Sequence, residues 1–113
     1  MKRFSPLLLL ALLGCGDVSN GPKKIAIAGA RLEPGGGKPA IPYSMVIVEG
    51  GKFKAVGEQA EVPLPKDSEV IDGLEQTLAP LDADGVIETG KPANLTLKGA
   101  RETRTMKEGV WQR

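Results

Sequence analysis

The sequence predicts an all-β fold, a small β-sandwich or partly open barrel of about seven or eight short strands. Three observations carry this. Gly at 15 and Pro at 9 in 113 residues are high, and they punctuate the chain at short intervals. Between them lie short runs rich in Val, Ile and Thr, which suit a pleated, half-buried surface. No segment keeps apolar residues at helical spacing for the ten to twelve residues that a helix requires. The length suits one modest domain. With 15 Lys plus Arg against 14 Asp plus Glu, no field of one sign exists to attract nucleic acid, so no nucleic-acid partner is expected. Histidine is absent, which excludes imidazole metal ligation and His-based acid–base chemistry.

The N-terminus is an export signal. Lys2 and Arg3 precede the short apolar run 7–13 (LLLLALL). At about 1.5 Å per residue this run falls far short of a hydrocarbon core of about 30 Å, so it is not a spanning helix. The sequence Leu12-Leu13-Gly14-Cys15 resembles the lipobox of bacterial lipoproteins. The resemblance implies cleavage after residue 14 and acylation of Cys15, leaving a membrane anchor as the expected first partner. The alternative is an ordinary secretory signal with an incidental cysteine. Cys15 is the only cysteine, so an intramolecular disulfide is impossible. Gly16 rather than Asp follows it, which favours the periplasmic face of the outer membrane over inner-membrane retention. Loss of Lys2 and Arg3 leaves 13 positive and 14 negative groups, without a polybasic patch to assist binding. The expected organisation is a signal peptide at 1–14, a lipidated Cys15 and tether at 15–23, and a β domain at 24–113.

Within that domain, 24–32 (KIAIAGARL) reads as one strand with a packed face made by Ile25, Ile27 and Gly29. Residues 33–42 (EPGGGKPAIP) read as a mobile loop. The runs 44–49 (SMVIVE) and 52–57 (KFKAVG) flank Gly50-Gly51, a hairpin signal because both glycines accept positive φ. Residues 58–68 form a loop broken by Pro63 and Pro65. Short strands at 69–72 (EVID) and 76–79 (QTLA) surround Gly73, and further strands follow at 93–98 (ANLTLK) and 103–107 (TRTMK). Glu108-Gly109 offers a turn before 110–112.

The order of these pieces resembles the small β-sandwich of the amidohydrolase superfamily, which includes dihydroorotase, imidazolonepropionase and prolidase-like enzymes. Residues 25–32, the SMVIVEGGKFKAVG hairpin and the EVID and QTLAP strands resemble the segment that precedes the family's (β/α)8 barrel. Residues 85–97 (GVIETGKPANLTL) resemble the segment that returns after it, with Asn94 where the family usually has Asp. The resemblance spans residues 24–111 and implies that about five residues, 81–85, stand in place of the barrel. It would suggest a metal-dependent hydrolase of C–N bonds. The family's His-x-His pair, bridging carboxylated Lys or Glu, later His residues and catalytic Asp map onto no position here. Lys66 and Lys91 have no neighbouring ligands that would let either serve as the bridge. No catalytic, metal-binding or cofactor-binding residue is therefore expected, and Cys15 is the only modified position named.

Other motifs give way to plainer readings. Gly35-Gly36-Gly37-Lys38 is not a phosphate loop, because Pro39 replaces the required Ser or Thr. Asp82-x-Asp84-Gly85 resembles part of a calcium loop, but Pro80 and Lys91 occupy the first and last ligand positions, so a solvated turn is expected. Asp82 with Glu88 would need a pocket to act as an acid–base pair. Ser44, Ser68 and the threonines have no His base. Trp111 reads as packing rather than a ligand platform.

The expected function is a non-catalytic, lipid-anchored binding or structural module, with a protein partner on any face that the missing barrel leaves bare. Two alternatives stay open: a segment that completes a barrel-bearing partner, and the product of a decayed gene.

Overall fold

The computed structural model describes residues 24–112. The expected signal peptide, Cys15 and the tether lie outside them. Nine strands and no helix occur among the described residues: β1 (Lys24–Ala28), β2 (Arg31–Leu32), β3 (Ser44–Glu49), β4 (Lys52–Glu58), β5 (Ser68–Asp72), β6 (Thr77–Pro80), β7 (Leu95–Lys98), β8 (Thr103–Lys107) and β9 (Val110–Trp111). They form a four-stranded sheet, β4-β3-β1-β5, and a five-stranded sheet, β2-β6-β7-β8-β9. The fold is thus the expected small all-β sandwich without a (β/α)8 barrel.

The hairpin signal at Gly50-Gly51 is met, with φ of 65° and 79°. These positive values match the turn to the right-handed twist of β3 and β4. A bulge between Ile47 and Val48 lets Val48 pair with Phe53 while Val46 pairs with Val56. The extra residue, Lys54, therefore points to solvent, and Phe53 and Val56 both reach the core despite their odd spacing. Glu108-Gly109 closes the β8–β9 hairpin in the same way, with φ of 47° and 84°.

Residues 24–32 are not one strand. Gly29 turns at φ 89°, and the chain leaves the first sheet at Ala28 and enters the second at Arg31. Residues 68–80 make the same crossing alongside: β5 runs parallel to β1, and β6 runs parallel to β2. At this corner Ser44 is fully buried, and both its backbone N–H (2.9 Å) and its hydroxyl (2.8 Å) donate to the carbonyl of Ala30. Gly73 donates to the Ala28 carbonyl at 2.8 Å, and a Cβ there would lie 2.8 Å from that of Ala30. Two crossing strands can therefore approach only where one of them lacks a side chain.

One core lies between the sheets. Ile25, Ile27, Val46, Val48 and Phe53 face Leu32, Leu78, Leu95, Leu97 and Met106, and Ile87 and Ala93 fill the side. The packed face expected of 24–32 is thus only half the picture. Ala26 is also fully buried, on the outer face with Met45 and Ile47, because residues 59–65 fold back and lay Val62 over it. Trp111 packs against the main core as expected, with the Arg104 guanidinium 4.0 Å from its ring centroid.

Three outcomes follow from this packing. Urea melts of residues 16–113, followed by Trp111 fluorescence and by far-UV circular dichroism, should share one midpoint, because the C-terminal hairpin and the first sheet face a common core. Gly73→Ala should destabilise the fold by about 1–3 kcal/mol through overpacking at the corner. Ser44→Ala should cost about 1 kcal/mol, since the Ala30 carbonyl keeps its other donor.

Candidate functional site

The site is assembled where the two parts of the chain meet. Residues 81–85 form the tight turn that the sequence suggests, with the Gly85 N–H donating to the Asp82 carbonyl at 2.9 Å. The chain then crosses the open side of the sandwich. The Ile87 N–H donates to Pro34 (2.8 Å), Gly90 donates to Phe53 (2.8 Å), Phe53 donates to Lys91 (2.9 Å) and Ala93 donates to Gly51 (2.8 Å). Asn94 at the end of this crossing accepts the Glu108 N–H on Oδ1 at 2.7 Å. That is a turn-bracing bond which a carboxylate oxygen would also accept.

The glycine loop at 33–42 is clasped onto this segment rather than extending freely, contrary to the mobile loop expected. Leu32 and Ile41 exchange backbone hydrogen bonds at 2.8 Å, so the loop leaves and returns at one point. Gly35 packs so closely that a Cβ would sit 2.5 Å from the Gly85 carbonyl, and one on Gly36 would lie 3.0 Å from Val86. The three glycines at 35–37, with φ of 82°, 63° and 77°, thus serve close approach and turning, not phosphate binding. Lys38 Nζ meets Glu88 Oε2 at 2.7 Å, which locks the loop tip.

Between this loop, the end of β4 and residues 87–89 lies a groove of about 600 Å³. Leu32, Ile41, Val56 and Ile87 give it apolar walls, and Lys38, Glu58 and Glu88 line it with charge. That size and mixture suit a small amphipathic molecule. The Glu88 carboxyl is held below its ordinary range, first by the hydrogen bond from Lys38 and then by the charges of Lys38 and Lys91.

The other residues weighed from sequence do not come together. Asp82 lines a separate depression at the turn, away from the groove that contains Glu88. Ser44 is sealed in the corner, and the Ser68 hydroxyl donates to the Pro65 carbonyl at 2.9 Å. No group of three or more His, Cys, Asp or Glu side chains converges among the described residues. Sequence reasoning missed the Lys38–Glu88 contact. The two lie fifty positions apart, and their only signal was a lysine in a loop too rich in glycine to stand alone.

Comparison with known proteins finds a partial likeness to larger hydrolases. No protein-family model and no curated protein matches the chain. Among solved structures, molinate hydrolase is similar over 54% of this chain and 13% of its own (26% identity, TM-score 0.48). Phenylurea hydrolase B is similar over 52% and 13% (36% identity, TM-score 0.49). A protein described as a prolidase from Bifidobacterium longum is similar over 51% and 15% (18% identity, TM-score 0.47). These neighbours are amidohydrolase-family hydrolases, and the likeness covers about half of the present chain and a small part of each of theirs.

The Lys38–Glu88 contact makes a defined prediction. Because the folded carboxyl of Glu88 is lowered, the pair's contribution is complete above the ordinary carboxylate range, about pH 4, and disappears as pH falls through the lowered value. A carbon-detected NMR titration should place Glu88 below the ordinary range of a glutamate side chain. Lys38→Met should return it towards that range without changing the fold.

Proposed function

We propose that the protein is a lipid-anchored, non-catalytic β-sandwich module related to the composite domain of amidohydrolases, and that it binds a ligand in the groove beside Lys38 and Glu88. The observation that carries this reading is the way residues 86–94 close the sandwich. They bury Ile87 and Ala93 in the common core and bond to Pro34, Gly51 and Phe53, so a turn at 81–85 suffices where the family would insert its barrel. The order of sequence motifs from 24 to 111 supports the kinship. The lack of any histidine supports a role without the family's metal chemistry. The apolar run at 7–13 and the Leu-Leu-Gly-Cys sequence ending at Cys15 support the anchor, on the periplasmic face of the outer membrane.

Expression of the full chain in a diderm bacterium with labelled palmitate tests the anchor. The label should enter the wild type, which should fractionate with outer membranes, and Cys15→Ser should lose both properties. Retention of the label by Cys15→Ser, or its absence from the wild type, would overturn the anchor. The non-catalytic reading predicts no hydrolysis of carbamate, urea or amide substrates above background after incubation with Zn²⁺ or Mn²⁺. Metal-dependent turnover that survives purification to homogeneity would overturn it.

A further inference from the structure

The edges of the two sheets are not equally protected. The β4 edge is covered at its start, where residues 90–93 bond to Phe53 and bridge Lys52 through Pro92. The β2 edge is covered by Ile41, and β9 is only two residues long. Strand β5 has no such cover at any point, being a five-residue edge to which, among the described residues, only β1 is paired. Gly73 donates to the Ala28 carbonyl, so by the two-residue period of the ladder Ile71 and Glu69 also face β1. The backbone groups of Ser68, Val70 and Asp72 therefore point away from the sheet. Val70, in the middle, is 52% exposed, and a depression lined by Ala28, Met45, Val62 and Leu64 opens beside it. An unpaired strand edge is a template for another strand.

We propose that β5 pairs with β5 of a second copy of this chain, antiparallel and centred on Val70, giving a continuous eight-stranded sheet with two-fold symmetry. The sequence of the strand selects both the partner and the register. Centring on Val70 sets Ser68 opposite Asp72 and Glu69 opposite Ile71, and leaves Lys66 diagonal to Asp72, so no like charges face each other. Centring on Glu69 would put two carboxylates in direct apposition. Centring on Ile71 would make both innermost hydrogen-bonded pairs depend on Asp72. Its carbonyl already accepts Gln76 Nε2 at 3.0 Å, and its carboxylate accepts the Leu74 N–H at 2.9 Å. The Val70 register instead forms its central pair from groups that have no partner among the described residues, and it keeps the apolar outer faces of both copies on one side.

The test uses the full chain in detergent. Light scattering should give a dimer at micromolar concentrations. Val70→Pro should give a monomer with an unchanged circular dichroism spectrum, since the N–H it removes points away from β1. In a Cys15→Ser background, Val70→Cys should form a disulfide-linked dimer on mild oxidation, because facing Cα atoms in such a pair lie about 5.5 Å apart. Val110→Cys, still more exposed but on β9, should not. A monomeric parent, a dimer that persists in Val70→Pro, or cross-linking at position 110 as readily as at 70 would each overturn the pairing. Capture of a strand from a different protein by a parent that is itself monomeric would also overturn it.

Discussion

The backbone hydrogen bonds of residues 87–93 fix the relation between the two sheets. A sandwich has an open side wherever its edge strands end, and there backbone groups and core side chains would otherwise meet water. Here one extended segment addresses both needs. It supplies partners to Phe53, Gly51 and Pro34, and it inserts Ile87 and Ala93 between the sheets. The glycine loop, the groove and the bracing of the last hairpin by Asn94 all take their positions from it. Surface ion pairs contribute little in general, so Lys38–Glu88 orients the loop tip rather than holding the domain together.

The opposite constraint operates at the corner. Two stretches of chain cross from one sheet to the other side by side, and a crossing interrupts the ladder that would otherwise satisfy the backbone. Ala30, between β1 and β2, would leave a buried carbonyl unpaired if Ser44 did not bring two donors to it. Gly73 and Ala30 are small because the two backbones approach so closely there, and Gly29 is a glycine because of its positive φ. The groove depends on this corner as well, since Leu32 reaches its wall only because the chain has changed sheets.

What could be read from the sequence was local. Gly50-Gly51 and Glu108-Gly109 announced their turns because positive φ is a property of a dipeptide and needs no tertiary context. The Val- and Ile-rich runs announced strands for the same reason. The break at Gly29 was hidden because KIAIAGARL alternates well enough for a single strand, and only the parallel partner at 68–80 shows why it must bend. The bulge at Lys54 was hidden because it is defined by register with β3. The groove itself was invisible, since its walls come from three separate stretches and carry no motif. The resemblance to the amidohydrolase sandwich rested on motif order, and the likeness to solved structures covers about half of the chain.

The parallel pairings of β1 with β5 and of β2 with β6 also set the order in which the chain can fold. They join Lys24 to Ser68 and Arg31 to Thr77, so each must close a long loop before it gains any contact. The β3–β4 hairpin and the β7–β8–β9 meander form from neighbouring residues and face no such delay. A chain made from its N-terminus can therefore complete the whole first sheet before residue 85 exists. The second sheet starts from its two N-terminal strands and must wait for the rest. Such non-local pairing places a domain of this size among the slower two-state folders, in the range of milliseconds to seconds. While the chain is being made, Leu32 and Leu78 lack the Leu95, Leu97 and Met106 side chains that enclose them in the finished core.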